Sequence, residues 1–154
     1  MSILREQFKI FLDEKIKNKE NIAVATVRLI LAAIKDRDIE HRAKNEENEI
    51  SETEILNLLQ NMVKQRKESV KIYHDAGRRE LKEREEEEIK IIESFLPEKI
   101  SNESFNAILK NLCDELDAKS IKDLGKVINT LKQRFPGQLD LKVVAKKAKD
   151  FLPI

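Results

Sequence analysis

The chain has 154 residues, 38% of them charged and 40% hydrophobic, with a formal net charge of only +1. That balance excludes the low-hydrophobicity, high-net-charge pattern of disordered chains and suits helices with one apolar stripe. Three glycines and three prolines cannot supply the turn that a β-sandwich needs about every ten residues, so an all-α fold is predicted.

From Ser2 to about Lys17, the residues Leu4, Phe8, Phe11, Leu12 and Ile16 fall at helical spacing on one face. Asn18 to Asn21 reads as a polar break. A second helix, IAVATVRLILAAIKDRDIEHRAK, is apolar nearly all round in its first half, which needs several covering neighbours. Its charged second half is expected to project outward. Ser51 followed by Glu54 is a capping-box pattern that opens a third helix, with Ile55, Leu59, Met62, Val63, Val70 and Tyr73 inward. Gly77 suits the left-handed position just beyond its end. A fourth helix, ELKEREEEEIKIIESFL, has a thin apolar edge of Leu81, Ile89, Ile92 and Leu96, and Pro97 stops it.

Pro97 to Ser101 is the predicted domain boundary. It separates an N-terminal helical bundle of about four helices, residues 1–97, from a small three-helix module, residues 98–154. The module's first helix turns Phe105, Ile108, Leu109, Leu112 and Leu116 inward. Its second, capped by Ser120, uses Ile121, Leu124, Val127, Ile128 and Leu131. Phe135-Pro136-Gly137 makes a turn, and Asp140 caps a last helix with Leu141, Val144, Ala145, Ala148 and Phe151 inward. A core of that size is marginal alone, so the module is expected to dock on the first domain or to be linked closely to it.

Residues 119–154 hold nine lysines and arginines against three acids, a net +6 that leaves −5 for residues 1–118. A basic module on a mildly acidic body is the footprint of a polyanion partner, although lysine is also simply a soluble helix former. One cysteine, Cys113, excludes an internal disulfide framework. The opening MSILREQFKIFLDEK is broken by Arg5, Glu6 and Lys9 and does not read as a signal peptide. The longest apolar stretch, Ile22 to Ile34, is too short for a membrane helix, so a cytoplasmic setting without a membrane partner is expected.

Catalytic chemistry is not expected from these residues. His41, His74 and Cys113 stand too far apart to suggest a metal cluster or an activated thiol, so no metal, cofactor or catalytic residue is assigned. The run Glu85 to Glu88 points in four directions around a helix and reads as a solvated face. Gly125-Lys126 matches only the end of a phosphate-binding loop, with neither the upstream glycine nor a preceding strand. Gly125 inside a helical pattern still marks a close approach to the backbone, by a packed helix (the expected reading) or by a phosphate held with Lys126. Arg28, within an apolar helix, must emerge at the bundle edge or find a carboxylate.

Three segments carry a resemblance: TVRLILAAIKDRDIEHR (26–42), MVKQRKESVKIYHDAGRRELKEREEEEIKIIESFLPEKIS (62–101) and LGKVINTLKQRFPGQLDLKVVAKKAKDFL (124–152). Together they resemble the YqeY-type family from end to end. That family is similar in its C-terminal part to the tail of GatB, the B subunit of aspartyl/glutamyl-tRNA amidotransferase. The resemblance implies a two-part helical fold and a tail that helps to hold tRNA while another domain does chemistry. On the family's C-terminal pattern lie Gly125, Lys126, Lys132, Gly137, Asp140 and Lys142, and Arg134 and Lys146 stand beside them. Gly125, Lys126, Lys132, Arg134, Gly137, Lys142 and Lys146 are therefore the RNA-binding candidates, with Lys126, Lys132 and Lys142 foremost for phosphate contacts.

The B subunit's catalytic cradle and the amidase that releases ammonia have no counterpart here. A family label of carbon–nitrogen ligase with glutamine as amido-N-donor describes the enzyme that shares the tail. The expected function is a non-catalytic module for tRNA or other structured RNA. The alternative is an accessory subunit that docks on an amidotransferase or aminoacyl-tRNA synthetase, through the charged half of helix two and the acidic fourth helix. A stand-alone amide-transferring enzyme would need an activated nucleophile or an ATP site, and the sequence suggests neither.

Overall fold

The computed structural model describes residues 3–45, 49–139 and 141–152, and among them are seven α-helices and no strand. The chain divides into two compact units, Met1–Leu96 and Pro97–Ile154.

The first unit contains α1 (Ile3–Lys17), α2 (Asn21–Asn45), α3 (Glu52–Asp75) and α4 (Arg79–Glu93). Its core gathers Leu4 and Phe8 of α1, Val27, Ile30 and Ile34 of α2, Ile55, Leu59 and Val63 of α3, and Ile92 of α4. Phe95 meets Phe8 and Phe11 edge-on, with ring centroids 4.8 and 5.0 Å apart. The Ser51 hydroxyl accepts the Glu54 N–H at 3.2 Å and so caps α3 as its spacing predicts. At the other end Gly77, with φ +69°, donates to the His74 carbonyl while Arg78 donates to Tyr73. This paired closure satisfies the last carbonyls and needs a left-handed residue.

α4 ends at Glu93, three residues short of Leu96, the last residue before the predicted stop at Pro97. The residue before a proline avoids helical geometry, and Phe95 leaves the helix to reach Phe8 and Phe11. Arg28 emerges on the surface, and Leu29 beside it is half exposed, so α2 is covered less completely than its sequence predicts. Ile16, expected inward, is 45% exposed in the last turn of α1.

Two inward acids also depart from the expectation. Asp38, in the charged half of α2, is buried and takes both prongs of Arg5 at 2.9 Å. Glu88 corrects the picture of a wholly solvated acidic run, because it is buried against Arg66 at 3.0 Å and Arg84 at 3.4 Å. Its position four residues before Ile92 places it on the α4 stripe. From Lys64 to Glu87, by contrast, no apolar side chain is buried, Leu81 included. α3 and α4 run together there as a two-helix arm that ends at the Gly77 turn.

The second unit holds α5 (Asn102–Leu116), a 3₁₀ turn (Ile121–Asp123), α6 (Leu124–Arg134) and α7 (Leu141–Phe151). Ser101 caps α5 by accepting the Ser104 N–H at 3.2 Å. Ser120 caps the 3₁₀ turn, and Asp123 returns the bond to the Ser120 N–H at 3.4 Å. Phe105, Leu109, Leu112, Val127, Leu131, Val144 and Ala148 form the core, and Cys113 is buried among them. Asp140, the expected cap of α7, lies outside the described residues.

Candidate nucleic-acid interface

On α6, Leu124, Val127, Ile128 and Leu131 face the core of the second unit. Lys126 and Lys132 stand exposed on the outer half of the same helix. Helical geometry sets them about 9 Å apart along the axis. On α7, Lys146 and Lys149 are three residues apart and exposed, so they share one edge of the helix. None of these four, nor Lys122, makes an ion pair among the described residues. The side chain of Lys142 lies outside the described residues.

The other candidates divide by what they touch. Arg134 is exposed, but both its prongs go to Glu115 of α5, at 2.8 and 2.7 Å. That bond holds the Glu115 carboxyl below its ordinary range and raises Arg134. Gly137 is buried in the turn before α7, with φ +78°, where it shapes the loop. Gly125 is exposed, and among the described residues no atom beyond its own helical turn lies within 4 Å of the place a Cβ would occupy. Among the described residues the expected helix packing at Gly125 is thus absent.

Two features of α7 escape the periodicity. Phe151, expected in the core, is 48% exposed, while Leu152 takes the buried position as the chain leaves the helix. Lys147 reaches back to α5, donates to Asn102 Oδ1 at 2.5 Å and sits 5.4 Å from the Phe105 ring centre. A cleft of about 180 Å³ opens there, with Lys99 and Lys147 at its rim and Ile100, Phe105 and Val143 in its wall. Neither feature has a local sequence signal, because the cleft is made by segments some 40 residues apart.

Among the described residues no group is placed to activate a nucleophile. Burial and the neighbouring Asp114 push the Cys113 thiol up, away from the reactive thiolate. His74 Nδ1 meets Lys82 Nζ at 3.1 Å, and His41 lies half-buried on α2. Among the described residues no group of three His, Cys, Asp or Glu is placed to hold a metal ion. Burial raises the Glu85 carboxyl, with Glu88 adding to the effect. A larger cleft of the first unit, about 340 Å³, is lined by the apolar Leu58 and Met62 and by Arg37, Lys64, Gln65 and Glu68, polar side chains of mixed charge. No described helix is long and apolar enough to cross a membrane.

The model of one protein family, described as Yqey-like protein, matches residues 5–152. The chain belongs to that family. Among curated relatives, this Yqey-like chain is 31% identical to "Altered inheritance of mitochondria protein 41, mitochondrial" of Lachancea thermotolerans, over 64% of its own length and 51% of the relative's. The chain therefore spans about half of that protein. It is also 27% identical to an uncharacterized protein of Schizosaccharomyces pombe, over 58% of its own length and 68% of the relative's.

Proposed function

We propose that this chain is a non-catalytic binding module for structured RNA, with tRNA foremost, and that its C-terminal helices form the contact surface. The observation that carries the reading is the set of exposed lysines Lys122, Lys126, Lys132, Lys146 and Lys149, unpaired among the described residues, on a segment of net charge +6. Such lysines neutralise phosphates and release counterions, which gives affinity through backbone and shape. The resemblance to the GatB tail favours tRNA among structured RNAs. In this reading the ligase label belongs to the amidotransferase that shares the tail, in keeping with the buried Cys113 thiol. A cytoplasmic setting is part of the same proposal.

The test is an anisotropy titration of tRNA at several salt concentrations, beside a variant carrying Lys126→Ala, Lys132→Ala and Lys146→Ala. Loss of three phosphate contacts should flatten the dependence of log K on log salt by two to three units. Unchanged affinity in the variant would put the surface elsewhere.

A second reading, an accessory subunit of an amidotransferase or aminoacyl-tRNA synthetase, is favoured by the α3–α4 arm. That arm buries no apolar side chain between Lys64 and Glu87 and leaves Ile72 65% exposed. Co-purification of one defined protein without RNA would replace the first reading with this one.

A further inference from the structure

The cleft between the start of α5 and α7 has a composition that bulk phosphate binding does not call for. Its wall is apolar, with Phe105 and Val143, and two cations, Lys99 and Lys147, stand at its rim. Two amides also line it, Asn102 and Gln138. Each amide is held from one side. The Asn102 Oδ1 accepts from Lys147, which leaves the two N–H bonds of its Nδ2 as donors. The Gln138 Nε2 donates to the Glu98 carbonyl at 3.4 Å, while the Ile100 N–H donates to the Gln138 carbonyl at 3.2 Å. The Oε1 of Gln138 remains as an acceptor, without a partner among the described residues.

We propose that this cleft takes one unpaired nucleotide of the bound RNA, with the base against Ile100 and Val143, its edge on Asn102 and Gln138, and its phosphate at Lys99 and Lys147. The inference rests on the RNA reading above and names the part of the RNA that the module selects. Three observations support it. At about 180 Å³ the cleft is smaller than the roughly 300–1,000 Å³ of drug-sized sites, which suits a single planar ring. A base edge offers donors and acceptors side by side, matching one amide donor and one amide acceptor. A carboxylate side chain would use the lysines and leave the Gln138 oxygen facing an anion, so an acidic peptide fits less well.

The outer edge of α7 continues the site. Val143, Lys147 and Phe151 are spaced by four residues and form one ridge. The first two line the cleft, and Phe151 follows one turn beyond with its ring about half exposed. An exposed ring beside a cation is a stacking surface for the neighbouring base. α7 thus separates two kinds of contact. Lys146 and Lys149 lie on the edge that would meet a duplex backbone, and Val143, Lys147 and Phe151 lie on the edge that would meet unstacked bases.

The experiment compares two RNAs on the full chain: a hairpin with one 2-aminopurine in its loop, and a blunt duplex of the same stem. Wild type should bind the hairpin about tenfold more tightly and alter the 2-aminopurine fluorescence, as stacking of one base allows. Asn102→Ala and Phe151→Ala, both at exposed positions, should each remove most of that preference and leave duplex affinity and helicity unchanged. Equal binding of hairpin and duplex by wild type overturns the cleft assignment and leaves the RNA reading standing. Binding of neither RNA overturns both. An acidic peptide whose binding Asn102→Ala abolishes, with RNA binding intact, would give the cleft to a protein partner and overturn the nucleotide.

Discussion

Asp38 accepts both guanidinium prongs of Arg5 and the Ile50 N–H, each at 2.9 Å, so one carboxylate joins α1, α2 and the chain that enters α3. The bond from Arg5 holds the Asp38 pKa below its usual value, against the opposing effect of burial. A carboxyl whose folded pKa is depressed stabilises the fold above its unfolded value, roughly 3.9, and that contribution vanishes as pH falls through the folded value. Asp38→Asn should therefore cost about 2–3 kcal/mol at pH 7. Thermal melts of both proteins should converge as pH falls below the ordinary carboxylate range, roughly 3.9, and through the depressed folded value. A gap that stays constant with pH would mean that the charge contributes nothing.

Glu88 and Arg66 form a second inward pair, at 3.0 Å, with both side chains mostly buried. Removing one partner strands the other, whereas replacing both with apolar groups removes the desolvation cost as well. Glu88→Leu alone should lower stability by roughly 2–3 kcal/mol, and adding Arg66→Leu should recover most of it. Urea denaturation of the four proteins of that cycle gives the coupling directly. Additive losses would show that the pair is not coupled.

Lys19 stands at φ +57°, where its N–H bonds to the Ile16 carbonyl and that of Glu20 to Lys15. A side chain in that conformation costs roughly 1 kcal/mol, so Lys19→Gly should gain about 0.5 kcal/mol after the added freedom of the unfolded chain. Gly77→Ala, at φ +69° with open space around it, should lose about 1 kcal/mol for the same reason. Opposite shifts in melting temperature would bear this out.

Glu115 holds Arg134 away from solvent anions through two short bonds. Glu115→Gln removes a negative charge and loosens the clamp on a cation of the basic module. RNA affinity should rise, and the dependence of log K on log salt should steepen by about one unit. A flat response would place Arg134 outside the RNA surface.

Local signals were the readable ones. Ser51 and Gly77 act within four or five residues, and each caps or closes the helix that its spacing predicts, while Ser120 caps the 3₁₀ turn that precedes α6 and not α6 itself. Arg5 and Asp38 are 33 residues apart, and no periodicity links two charges on different helices. Glu88 was hidden by its acidic neighbours, although its distance from Ile92 marked it as inward. Phe151 and Leu152 both suit the stripe of α7, and only the end of the helix decides between them. At the candidate site the lysines were legible as charge. Their division into exposed cations, the Glu115-bound Arg134 and the Asn102-bound Lys147 depends on tertiary contacts.

The α3–α4 arm has one more consequence. Because no apolar side chain from Lys64 to Glu87 joins the core, its length is independent of the bundle that carries it. Matched turns added to or taken from the two helices would move the Gly77 corner along the arm's axis while the packing around Phe8 and Ile92 stayed in register. The hairpin is thus a spacer of adjustable reach, and its tip is where a foreign sequence could be grafted at least cost to the fold.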